Sequence, residues 1–106
     1  MNIPKVVSDL IEAQNNSDST AFSELFSETA VVKDEGHTYE GKDAVKKWIE
    51  AANEKYAPQI KPVKVEHEES KIIVSMEASG NFDGSPIVLK YYFGLEKEQI
   101  TDLEIL

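Results

Sequence analysis

Residues 71–80 read KIIVSMEASG, and their period decides the fold. Ile72, Val74, Met76 and Ala78 alternate with Ser75, Glu77 and Ser79. A β-strand turns successive side chains to opposite faces, so this spacing predicts a strand with one face in a core. The stretch NFDGSP follows, and its Asp83-Gly84 pair signals a hairpin. Beyond it Ile87, Leu89, Tyr91, Phe93 and Leu95 share one parity, and QITDLEIL supplies a last strand with Leu103 and Ile105 inward. Upstream, residues 62–69 set Val63, Val65 and His67 against Lys64, Glu66 and Glu68. Short connections between successive strands make an antiparallel meander.

The first half of the chain changes period. Ile3, Val6, Val7, Leu10 and Ile11 recur on one helix face, and Pro4 suits a first turn, where its missing N–H is no loss. NNSDST breaks that helix, and Asp18 or Ser19 can cap a second one that buries Phe22, Leu25 and Phe26. AVVKDEG and HTYEG read as two short strands. Gly41 opens a third helix, with Asp43 in its positive first turn and Ala44, Val45, Trp48, Ile49, Ala52 and Tyr56 as its apolar stripe. Pro58 ends it. The order ααββαββββ, with helices gathered on one side of a sheet, predicts an α+β domain.

The 106 residues fit a single domain, 1–106, that buries roughly two-thirds of its unfolded surface. A composition that is 41% hydrophobic and 29% charged is that of an ordered globular chain. There is no cysteine for a disulfide, a zinc knuckle or a thiol nucleophile. The formal net charge of −9 opposes contact with nucleic acid and with anionic membranes, because both require a basic surface. No apolar run reaches the roughly 20 residues of a membrane helix. MNIPKVVSDL lacks a basic-then-apolar leader, so a cytoplasmic protein is expected, and the sequon at Asn15 is read as chance.

Chemistry concentrates at few positions. Asp34 stands two residues after Val32, so if Val32 is core the carboxylate faces the same side, where burial would raise its pKa into the range of a base. The alternative is that the strand ends there and Asp34 caps the turn at Glu35-Gly36. Parity turns Tyr91 inward, as a hydroxyl donor or a plain core aromatic, and Tyr92 outward beside Ile73 and Ser75. Trp48, Tyr56, Met76 and Phe93 are either core or pocket wall, and Tyr39 could close a pocket mouth. His37 and His67 lack the short spacing of metal ligands, so neither a metal nor a cofactor is expected, although His37 could pair with Asp34 across a tight turn. GHTYEGKD misses a phosphate loop, because Asp43 replaces the magnesium-binding hydroxyl and would repel phosphate.

With its Leu25-Phe26, Val32-Lys33-Asp34, Gly41 and closing strand pair, the chain resembles the nuclear transport factor 2-like superfamily from about Val6 to Ile105. Within it the chain looks most like the SnoaL-like and ketosteroid-isomerase-like proteins. The resemblance implies a cystatin-like fold: a curved antiparallel or mixed sheet wrapped around helices as a cone. It also implies an apolar pocket and homodimers formed through the outer sheet face. Ketosteroid isomerases pair an Asp base with an oxyanion hole of a Tyr and a protonated Asp. Aligned without gaps from Val6 to Asp34, Asp34 falls on the base and Leu10, which cannot donate, on the first donor; the second donor falls on Tyr91, a donor of a different kind. The expected ligand-binding wall is Leu10, Tyr39, Trp48, Tyr56, Met76, Phe93 and Leu103. The function expected is binding of a small hydrophobic molecule in the cone. One alternative is an isomerase, dehydratase or cyclase working by proton transfer without a metal, with Asp34 as base beside a carbonyl and Tyr91 holding the enolate oxygen. The other is a dimeric structural module whose pocket is filled.

Overall fold

Where strand parity and helix period change, the elements change. The structure, a computed structural model, describes residues 2–106. Helix α1 (Lys5–Asn15) is followed by α2 (Ser19–Glu24), β1 (Phe26–Asp34), β2 (His37–Glu40) and α3 (Lys42–Tyr56). The long strands are β3 (Gln59–Glu68), β4 (Lys71–Ser79), β5 (Ile87–Glu96) and β6 (Gln99–Ile105). The Asp18 carboxylate accepts the Ala21 N–H as the α2 cap. Ala57, in the left-handed region at φ 46°, closes α3 just before Pro58.

The six strands form one curved sheet in the order β2-β1-β6-β5-β4-β3. All neighbours are antiparallel except β1 and β6, so the sheet is mixed. That parallel pair brings the first and last strands together, with Asp34 beside Ile105. The three helices pack against one another and the sheet, α3 on β1 and β2 and α1 on β3. Phe22, Phe26, Phe93, Leu10, Met76 and Leu103 are fully buried between them.

Several local expectations change. Phe26 is buried, but it starts β1 instead of ending α2, and Leu25 is the helix C-cap. In β3 the register slips between Pro62 and Lys64, and Val63, expected to share a face with Val65 and His67, is 44% exposed. A bulge inserts one unpaired residue, which parity counting cannot see, so Ile60 takes the inward place ahead of it. As expected, Asp83-Gly84 lies in a hairpin connection, the loop of residues 80–86 that joins the antiparallel pair β4 and β5. Gly80 starts that loop because a Cβ there would stand 2.5 Å from the Tyr56 carbonyl, which also accepts the Asn81 N–H. On the outer face Lys71 and Asp102 pair across Gly94, which sits between them in register and has no room for a side chain.

Candidate functional site

The side chains that parity turns inward fall into rows running across the strands. One row is Asp34 on β1, Ile105 on β6, Tyr91 on β5 and Val74 on β4. The next is Val32, Leu103, Phe93 and Ile72. A cavity of about 430 Å³ opens between the first row and α3. Asp34, Ile105, Tyr91 and Leu89 line it from the sheet, and Trp48, Ile49, Ala52 and Tyr56 line it from the helix. Phe22 and Gln14 reach it from the other helices, while Glu35, Lys55, Phe82 and Asp83 stand around it from turns and helix end.

Asp34 ends β1, and the hairpin that follows is tight because Glu35 (φ 51°) and Gly36 (φ 78°) both take left-handed backbone. His37 therefore stands directly opposite Asp34 in register, on an exposed position. The Asp34 carboxylate accepts the Trp48 indole N–H at 3.2 Å. Burial raises its pKa above the ordinary carboxylate value, and the Glu35 charge adds to the rise; the indole hydrogen bond and the nearby imidazole only partly offset them. Tyr91 is nine-tenths buried, and its phenol pKa is pushed far above the usual range, by burial first and then by the Asp34 charge. Its hydroxyl has no partner among the described residues, yet no buried polar side-chain atom lacks one, so the hydroxyl opens onto the cavity. A carboxylate and a free phenol thus share one hollow.

Aromatic rings frame the mouth. Tyr39 lies 5.8 Å and Phe22 6.0 Å from the Trp48 ring, and Phe82 meets Tyr56 edge-on at 6.0 Å. Of the residues expected to face a ligand, Tyr39, Trp48 and Tyr56 line the cavity together with Asp34 and Tyr91. Leu10, Met76, Phe93 and Leu103 do not. They point to the correct face but lie in the closed core, at most 1% exposed, because the helices fill the rows beside the hollow one. His37 and His67 lie on β2 and β3, the opposite edges of the sheet. Among the described residues no cluster of three or more His, Asp or Glu side chains could hold a metal ion.

Gln14 was missed by sequence reasoning. Its amide Nε2 donates to the Asn53 side-chain oxygen at 2.9 Å and to the Pro58 carbonyl at 3.3 Å. The signal was present, since Gln14 follows Leu10 by four residues on the buried stripe of α1 and is only 4% exposed. Phe82 and Asp83 were missed because they reach the cavity from a loop.

A curved mixed sheet folded over helices, with an open cavity beside an acidic strand end, defines the ketosteroid-isomerase-like, nuclear transport factor 2-like class. The SnoaL-like domain matches residues 7–100, and the chain belongs to that family. It is similar to a candidate polyketide cyclase from Sinorhizobium meliloti, with 34% identity over 98% of this chain and 95% of that one and a TM-score of 0.93. A cystatin-fold protein from Novosphingobium aromaticivorans covers all of the chain (100%, and 98% of its own length) at 16% identity and a TM-score of 0.80. A ketosteroid-isomerase-like protein from Catenulispora acidiphila, solved with trimethylamine, covers 99% of this chain and 86% of its own at 16% identity and a TM-score of 0.87. At those lower identities the likeness is one of fold. No curated protein matches the chain. No described helix is long and apolar enough to cross a membrane.

Proposed function

We propose that the chain binds a small, largely apolar molecule carrying a carbonyl oxygen, in the cavity between α3 and the row Asp34–Ile105–Tyr91. The observation that carries this reading is the unpartnered Tyr91 hydroxyl, held in an otherwise apolar and aromatic wall. A buried phenol needs an acceptor, and a ligand carbonyl would supply it. Asp34, Glu35 and Asp83 against Lys55 make the surroundings net negative and disfavour an anionic ligand. The polyketide cyclase name of the Sinorhizobium meliloti relative agrees with a carbonyl-rich ligand.

The test is a thermal-shift screen of neutral ketones and lipophiles, since a ligand that binds only the folded state raises Tm. Saturable stabilisation by ketones, reduced in Tyr91→Phe, is expected. No shift with any ketone or lipophile would remove the reading.

Proton transfer is the second reading, favoured by the raised pKa of Asp34 beside a hydroxyl donor. Asp34 would take a proton from the carbon next to the carbonyl. The C–H electron pair would become a C=C bond as the carbonyl π pair moves onto the oxygen, and Tyr91 would hold the enolate, a contribution of about 3 kcal/mol for one donor. Where the ligand has a C=C bond β,γ to the carbonyl, the enolate is a dienolate, and returning the proton to its γ-carbon moves the double bond into conjugation and completes an isomerisation. Asp34→Asn should abolish hydrogen–deuterium exchange at that carbon while binding persists, and exchange in the absence of protein dependence would sink this second reading.

A second copy of the chain is proposed to cover the outer sheet face, where Val88 and Leu106 are 56% and 66% exposed near Tyr92. Light scattering is expected to give a dimer mass, and a monomer across the micromolar range would contradict it. The working compartment proposed is the cytoplasm, and cell fractionation tests it.

A further inference from the structure

Gln14, like Tyr91, is a buried side chain in the cavity wall whose hydrogen-bonding capacity the described residues leave partly unused. The Pro58 oxygen can only accept, so the amide nitrogen, not the oxygen, must face it. The same nitrogen's second hydrogen goes to Asn53. Both donors are therefore spent, and the orientation of the amide is settled by chemistry instead of by choice. Its Oε1 has no partner among the described residues, yet no buried side-chain nitrogen or oxygen among them lacks one. With Gln14 only 4% exposed and part of the cavity wall, that oxygen opens into the cavity.

This acceptor lies away from the Asp34–Tyr91 end. Asp34 is tied to α3 at Trp48, whereas Gln14 is tied to it at Asn53, five residues on, an axial distance of about 7.5 Å. The wall between is apolar, with Ile49 and Ala52 on the helix and Leu89 on the sheet. Gln14 is also rigid. Its two bonds join α1 to the end of α3, and the adjacent Asn15 binds the Ile60 backbone through both its amide N–H and its oxygen. A fixed acceptor at one end and a fixed donor at the other make a two-point gauge.

We infer that Gln14 Oε1 selects ligands that carry a hydroxyl or N–H donor at the end opposite their carbonyl, so that the cavity takes hydroxy-carbonyl molecules in one orientation. The inference rests on the carbonyl-binding reading above. A ligand that leaves a buried amide oxygen dry leaves its desolvation uncompensated, so the loss is felt in affinity.

The experiment compares 4-(4-hydroxyphenyl)butan-2-one with its methyl ether by calorimetry. The two differ in the distal donor and share the ketone. Wild-type protein should bind the phenol at least about tenfold more tightly. In Gln14→Met the preference for the phenol over the ether should vanish. Should that variant fail to fold, the Gln14 side-chain amide signal in wild-type protein decides the attribution: it moves with the phenol and stays with the ether. Equal wild-type affinities overturn this inference and leave the carbonyl pocket standing. So does a preference that survives in Gln14→Met or leaves the Gln14 signal unmoved. If neither compound binds, the carbonyl reading falls and this inference falls with it.

Discussion

Two neighbouring rows of the same sheet face have opposite fates. Val32, Leu103 and Phe93 form a closed row in which no side chain is more than 1% exposed. One register step away, Asp34, Ile105 and Tyr91 border a hollow. Both rows have inward parity, and both lie on β1, β6 and β5. The difference lies in what stands over each: the first is closed within the buried core cluster, and the Trp48 ring with its N–H stands over the second. A sheet face is therefore a candidate wall along its whole length, and the helix decides where the wall is bare.

Substitutions can break that contrast, and the largest effect belongs to the closed row. Phe93→Ala should lose about 3–5 kcal/mol in urea unfolding, because the void left in a packed core cannot collapse. Leu89→Ala, on the already open wall, should lose well under half of that. Equal losses would mean that the two rows are not differently packed. Next comes Trp48→Phe, which removes the donor to Asp34. It should lose about 1 kcal/mol and raise the Asp34 pKa further, seen by carboxyl-carbon NMR.

Asp34→Asn sharpens the comparison through pH. The folded-state pKa of Asp34 lies above the unfolded value, so the folded protein holds this proton more tightly. Stability from the protonated form is then complete below the unfolded value near ~3.9, and is lost as pH rises through the folded pKa. Asp34→Asn should therefore raise Tm at pH 7 and give no advantage below about pH 3.5. A Tm gain independent of pH would mean that the carboxylate is not desolvated. The smallest effect is that of Tyr91→Phe. Its hydroxyl has no partner among the described residues, so unfolding stability should stay within about 0.5 kcal/mol of wild type while ketone binding weakens.

The amino-acid sequence carried the element order and the inward side of Asp34 and Tyr91, because period and parity are local properties. It did not carry depth. Leu10, Met76, Phe93 and Leu103 share the inward face with the cavity wall, yet they are sealed, and only the placement of the helices distinguishes them. Nor could it show the bulge at Val63, where one unpaired residue resets the parity of β3. Gln14 was visible as a polar residue on an apolar stripe. Its role depends on Asn53 and Pro58, which are distant in sequence and meet it only in the fold.

Trp48 is the single tryptophan of the chain, so its indole N–H gives one isolated NMR signal from the cavity wall beside Asp34. Titrating 4-(4-hydroxyphenyl)butan-2-one while following that signal tests most directly whether the bare row is a binding site. A saturable shift of the indole resonance, with the signals of the Val32 and Leu103 methyls unmoved, is the result predicted. An indole signal that stays fixed at saturating ligand would contradict the account.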